Sequence, residues 1–247
     1  MDERFSECQE FFMVSWPSTL REHAAPVPAF TMLHAIILVW GLLWGASTLQ
    51  DLAGLDAETR VWLLDVDAER SFYTWFSQLL LGLVGLVLVD TGRKTWADDR
   101  VFGAQFIALG LVFILLSADE GLSFHEAFSA TLAGRGVGGL AFAWVIPAAI
   151  LCAIGLILAV PFLRRLTPPV RRMMLASGGL FLFGALVMEA FGGEVLAAHA
   201  GDILAHPYRM LVGIEEGAEG LGVILFLVAL GRHRNEAGLS PDLALMR

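Results

Sequence analysis

Charge vanishes from this chain five times. The runs Ala29–Leu49, Ser71–Val89, Val101–Ala118, Gly136–Leu163 and Met173–Met188 contain no Asp, Glu, Lys or Arg. A helix needs roughly 20 predominantly apolar residues to cross about 30 Å of hydrocarbon, and a helix satisfies its own backbone hydrogen bonds there. The expected fold is therefore all-α, a polytopic membrane helix bundle. Composition points the same way: 57% of residues are hydrophobic and 17% charged, against about 25% charged in soluble domains.

A sixth span is hidden by its charges. Gly220 to Gly231 is uncharged but lies between Glu219 and Arg232, and at about 1.5 Å per residue it is some 12 Å too short to cross. Extended back to about Met210 it crosses, and it then carries Glu215, Glu216 and Glu219 into the membrane. Six spans with both termini inside place Arg93, Lys94, Arg100, Arg164, Arg165, Arg171, Arg172, Arg232, Arg234 and Arg247 on the inner side, and Arg60, Arg70, Arg135 and Arg209 on the outer side. This is the bias of the positive-inside rule. The expected organisation is a cytoplasmic segment 1–28, a six-span N-in/C-in domain 29–231 and a cytoplasmic tail 232–247, in a bacterial inner membrane. The first 28 residues carry Asp2, Glu3, Glu7, Glu10 and Glu22 with no basic stretch leading into a short apolar one, so a cleaved signal is not expected. The outer stretch Gln50 to Arg70, acidic but punctuated by leucines, suggests a short surface helix. Glycines such as Gly82, Gly85, Gly178, Gly179 and Gly184 suggest close helix packing.

The acids are distributed unequally. The outer side and the membrane-embedded positions next to it hold 15 acids against 4 arginines, leaving +2 for the inner side within the net charge of −9. With that balance, and a single lysine, nucleic acid is excluded as a partner, because phosphate neutralisation needs the opposite sign. Cys8 and Cys152 lie too far apart in depth to form a disulfide.

Ionisable groups within a membrane are costly and mark sites by default. Here they form three clusters. Asp119, Glu120, His125 and Glu126 end the third span. Glu189, Glu194, His199, Asp202 and His206 follow the fifth, and Glu215, Glu216 and Glu219 open the sixth. All three are expected on the outer side, where they can share one cavity. At about 100° per residue Asp119, Ser123 and Glu126 share a face, whereas Glu120 and His125 stand about 140° apart unless the helix breaks near Gly121. Glu215, Glu216 and Glu219 span about 100°. Gly192-Gly193 suggests an interruption of span five. Glu194 to Ala205 then reads as a short outer interfacial helix between spans five and six, stopped by Pro207. On such a helix His199, Asp202 and His206, spaced i, i+3, i+7, fall within about 60°.

Two imidazoles with a carboxylate are the donor set of an open Zn²⁺ or Fe²⁺ site. The expected metal ligands are His199, Asp202 and His206, with His125, Glu126, Glu189 and Glu215 as further donors. Glu219, Glu216 and Asp119 are the expected catalytic groups, supplying a general base beside a metal that activates water or O₂. The stretch Ser123-Phe124-His125 resembles one in the membrane hydrolase superfamily that includes the alkaline ceramidases. That likeness implies a zinc held by histidines and an aspartate. The closing pair of histidines four residues apart is missing, and six spans stand where that superfamily has seven, so no residue role is carried across. The leading expectation is an integral membrane metalloprotein, a metal-dependent enzyme acting on a lipid or hydrophobic small molecule at the outer leaflet. The alternatives are a cation- or proton-coupled transporter or channel, and a membrane subunit that docks a partner.

Overall fold

The computed structural model describes residues 29–134 and 144–239. Residues 29–33 belong to a separate unit, and the bundle is built from His34 onward. Eight α-helices occur among the described residues: α1 Ala29–Leu52, α2 Phe72–Thr95, α3 Arg100–Leu122, α4 Phe124–Gly134, α5 Val145–Arg165, α6 Pro168–Leu182, α7 Glu189–Ala198 and α8 His206–Glu236. A π-helical turn, Phe183–Met188, joins α6 to α7 without a break. Five segments are long and apolar enough to cross a membrane: Met32–Leu52, Phe72–Thr95, Arg100–Leu122, Val145–Arg165 and Pro168–Ala198. Their outward side chains are large and apolar, as in Leu38, Leu42, Leu86, Leu115 and Leu158. The chain is thus a multi-pass helical membrane bundle.

Local chemistry explains where helices begin and how closely they approach. Ser71 caps α2 by accepting from the Thr74 N–H at 3.1 Å, and Asp99 caps α3 by accepting from the Phe102 N–H at 3.0 Å; each satisfies an otherwise orphaned donor. Arg93 and Lys94 occupy the last turn of α2, where positive charge complements the helix dipole. Helices α2 and α3 touch through two glycine pairs. A Cβ on Gly85 would lie 2.9 Å from the Gly110 carbonyl oxygen, and one on Gly92 would lie 2.6 Å from that of Gly103. The packing expected of span-two glycines is therefore present, whereas Gly178 and Gly179 face open space.

Helix α8 is the hub. At 31 residues it is about 46 Å long, and Val212, Val223, Ile224, Leu227 and Leu230 on it are buried. Gly222 lets the Phe181 backbone approach to 2.8 Å of its would-be Cβ, and Gly217 and Gly220 make room for Trp44 and Trp40 of α1. The Trp44 indole N–H donates to the Gly213 carbonyl at 2.7 Å, and Tyr73 of α2 donates to the Glu216 carbonyl at 2.5 Å.

Two expected elements form differently. The Gln50–Arg70 segment contains a single 3₁₀ turn, Trp62–Leu64, rather than a surface helix. It is tied down instead by buried ion pairs around Asp65, whose residue is fully buried. The outer interfacial helix Glu194–Ala205 does not form either. Helix α7 runs straight through Gly192-Gly193, both buried, and ends at Ala198, after which Ala200 and Gly201 turn with φ of 58° and 78°. A Cβ on Gly192 would sit 3.8 Å from Glu215 Oε2 and from the Tyr208 ring, an ordinary contact distance, and the pair lies buried within the helix. Pro207 opens α8 instead of ending a helix before it, in keeping with the tolerance of a first helical turn for proline.

Candidate functional site

Two groups of acids meet at the end of the bundle where α3 finishes and α8 begins. The first is a clamp. Arg60 reaches Asp51 at 2.6 Å and also Asp65, while Arg209 reaches Asp51 at 2.9 Å, Asp65 at 2.7 Å and Asp67 at 2.9 Å. The Tyr208 hydroxyl donates to Asp67 at 3.1 Å. Burial alone would raise the pKa of Asp65, but the guanidiniums of Arg60 and Arg209 outweigh it and hold the carboxyl below its ordinary value. For Asp67 burial wins over Arg209, with the charge of Asp65 adding to the rise. Three elements, α1, the 53–71 segment and α8, are joined by these bonds.

The second group lines a cavity of about 230 Å³ that begins beside Asp67. Asp119 and Glu120 enter it from α3, His125 from α4 and Glu189 from the first turn of α7. Glu215, Glu216 and Glu219 enter from α8, and Glu69 from the segment before α2. All three acidic clusters of the sequence thus contribute to one space. Helix α3 ends in a left-handed Ser123, φ 49°, so α4 turns back and His125 Nδ1 comes within 2.9 Å of Asp119 Oδ2. That break, two residues beyond Gly121, is what lets Glu120 and His125 face the same cavity despite their angular separation on a regular helix. The Ser123 hydroxyl, freed from the helix, donates to Glu69.

The π turn sets the second wall. Gly184 within it lies against α8 so tightly that a Cβ would meet the Glu215 carbonyl oxygen at 2.7 Å and Glu219 Cγ at 2.6 Å. One wide turn later Glu189 faces the cavity beside Glu215 and receives the Trp144 indole N–H at 3.2 Å. Trp144 in turn packs on His125, ring centroids 5.0 Å apart. Single π turns recur at functional sites because they re-aim the residues that follow. The remaining wall is apolar, from Leu81, Leu116, Ala148, Cys152, Leu182 and Leu186.

Of the expected catalytic groups, Glu219, Glu216 and Asp119 all line the cavity, as do the expected ligands His125, Glu189 and Glu215. The side chain of Glu126 lies outside the described residues. His199, Asp202 and His206 do not line it. They are exposed, His199 and Asp202 on the turns between α7 and α8 and His206 at the start of α8, with His199 Nδ1 on the Val195 carbonyl oxygen at 2.8 Å and Asp202 accepting from the Leu204 N–H at 2.9 Å. Their shared-face geometry needed a helix through Ala205, and the chain is not helical there. As the side chains lie, no group of three His, Cys, Asp or Glu among the described residues is arranged to hold a metal ion. Residues missed from sequence are Glu69, Tyr208, Trp144 and the clamp of Arg60 and Arg209. The available signal was that Arg60, one of the four arginines expected outside, stands within a run of acids from Asp51 to Glu69.

At the opposite end, Arg234 of α8 pairs with Asp90 at 2.7 Å and donates to the Thr91 hydroxyl at 2.7 Å. Phe102, Phe106, Phe162 and His233 fill the space nearby, with centroids 4.9–5.9 Å apart. The chain belongs to the family described as a domain of unknown function, DUF8692, which matches residues 29–233. No curated protein and no solved structure matches it.

Proposed function

We propose that this member of the DUF8692 family is a six-span protein of a bacterial inner membrane, N-in and C-in, that binds a divalent transition metal, zinc or iron, in the carboxylate cavity. It uses that site as a metal-dependent enzyme on a lipid or hydrophobic small molecule at the outer leaflet. The observation that carries the reading is convergence: acids from three separate clusters line one cavity. Ionisable groups gathered at membrane depth around a space mark a binding or catalytic centre. In this reading Glu189, Glu215 and His125 are the ligands, and Glu216, Glu219 and Asp119 serve as further ligands or as the general base. A carboxylate-rich donor set with one imidazole suits a hard or borderline dication. Holding one there would draw on Glu189 and Glu215, which neighbour each other in the cavity.

A second reading, a cation- or proton-coupled transporter, draws on that same Glu189–Glu215 contact, since paired acids relay protons in pumps. The inner half favours the enzyme. Below the cavity Val84, Leu88, Phe106, Ile224 and Leu227 are all buried, which suits a site open at one end more than a path. The test is elemental analysis of the detergent-purified protein. Near-stoichiometric metal that is lost in Glu189→Gln and Glu215→Gln supports the centre. Metal-free protein that carries protons or cations across liposomes selects the second reading. Reporter fusions at Ala200 and after Arg247 check the orientation, expected outside and inside respectively.

A further inference from the structure

Helix α5 is attached to the bundle at its two ends and stands away from it between them. Val145 and Phe162 are buried at 6% and 5% exposure, yet from 149 to 160 every residue except Cys152 and Ala159 is exposed, Ala153, Gly155 and Leu156 included. A helix resting on a bundle covers a continuous stripe on one face. On α5 the residues Val145, Ala148, Cys152, Ala159 and Phe162 make up such a stripe, but Gly155 and Leu156 between Cys152 and Ala159 are exposed, so the covered face is interrupted at the middle of the helix. The closest backbone packing of α5 is against the π turn. The slot this leaves is continuous with the cavity, because Ala148 and Cys152 on α5 line the same space as Leu116 and Leu186 and as the glutamates.

The space therefore has two chemically opposite parts. One end carries an excess of carboxylates, which a bound dication would reduce without cancelling. The other is apolar and opens sideways. At 230 Å³ it is smaller than the roughly 300–1,000 Å³ pockets that enclose whole ligands, so it can hold a head and the start of a chain while the rest of the chain stays outside. We propose that the slot between α5 and α3 is a lateral portal for the hydrocarbon tail of an amphiphile whose head is cationic. The head faces the glutamates, and the tail runs past Cys152 and Leu116 into the bilayer. An anionic head is excluded by like charge at the polar end. The proposal deepens the reading above by naming a substrate class, and it rests on the cavity being the site, not on which ion the cavity holds.

The test uses the full chain in phosphatidylcholine nanodiscs doped with a long-chain primary amine that bears a diazirine in its tail. After illumination, peptide mapping should find adducts at Ala148, Cys152, Leu116 or Leu186. Unlabelled amine in roughly tenfold excess should lower them about tenfold by mass action, whereas a fatty acid of equal length should not. A phosphatidylethanolamine carrying the same diazirine, run in parallel, separates a bilayer lipid from a free amine as the source. Cys152→Trp and, in case that variant misfolds, Ala148→Phe should close the portal and remove the adducts. Labelling confined to Leu115, Leu151 and Leu158, or equal competition by the fatty acid, overturns the proposal. Metal content is measured on the same samples, so a metal-free protein with specific cavity adducts would leave the portal standing and remove the metal centre alone.

Discussion

Two sets of buried and half-buried acids lie within one end of this bundle, and they are treated in opposite ways. Around Asp51, Asp65 and Asp67 the fold supplies two arginines and a tyrosine hydroxyl in hydrogen-bonding geometry. Around Glu189, Glu215, Glu216 and Glu219 it supplies a cavity, an indole N–H and the acids' own neighbours. A buried charge that is paired belongs to the architecture, since removing one partner strands the other in a medium that penalises it. Acids gathered without a matching set of cations cost stability, and such a cost is what functional sites retain. The clamp and the cavity meet at Asp67, which pairs with Arg209 and also lines the cavity.

The contrast breaks if the two sets respond alike to mutation. Arg209→Ala removes a partner from Asp51, Asp65 and Asp67 at once and should cost about 3–5 kcal/mol, the usual penalty for breaking a buried pair. Glu216→Gln keeps the volume and removes an acid from the cavity, and should change stability by less than about 1 kcal/mol in either direction. Thermal unfolding in nanodiscs measures both. Comparable losses would mean that the glutamates are structural too.

Binding sharpens the same division. Glu189→Gln and Glu215→Gln should weaken zinc or iron affinity by about 10–100-fold, the range seen for ligands and their direct supports, with the melting temperature nearly unchanged. Asp51→Asn should do the reverse, lowering the melting temperature while folded protein retains its metal. Metal titration of the three variants separates these outcomes.

Acidity divides the clamp internally. The folded pKa of Asp65 lies below its ordinary 3.8, so its contribution is present above that value and is lost as pH falls through the lower, folded one. Asp67 lies above 3.8, so its contribution is full below 3.8 and is lost as pH rises through the folded value. Wild-type stability should therefore fall below pH 3.8 and also carry a declining component above it. Asp67→Asn should remove the declining component and leave the acid limb intact. An unchanged profile in that variant would place the pH sensitivity elsewhere.

The sequence made the helices legible because charge-free runs of the right length have few alternatives in hydrocarbon. Even the hub α8 could be read, since Gly220–Gly231 is too short to stand alone. Convergence of the three clusters followed from topology, which put their helix ends on one side. What failed was local and depended on long-range partners. Nothing adjacent to Gly192-Gly193 reveals that the helix runs on through them, with Glu215 and Tyr208 in ordinary contact range of Gly192, so two buried glycines read as a break. Asp65 read as surface because one of its partners, Arg209, is 144 residues away in the chain. The π turn that aims Glu189 has no signature in composition, only the crowding of Gly184 against α8.

The smallest expected effect concerns the histidines that looked most like ligands. His199 is exposed, and its ring nitrogen contacts the Val195 carbonyl one turn back at 2.8 Å, a local contact at the end of α7 that water can replace. His206 is exposed at the start of α8. Surface substitutions of this kind change stability by about 0.5 kcal/mol or less. His199→Ala and His206→Ala should therefore leave both the melting temperature and the metal content of the purified protein at wild-type levels, while Glu215→Gln empties the same preparation. Loss of metal in either histidine variant would mean that the turns between α7 and α8 fold over the cavity mouth when the ion is bound. The clamp-and-cavity division would then have to include a third, mobile part.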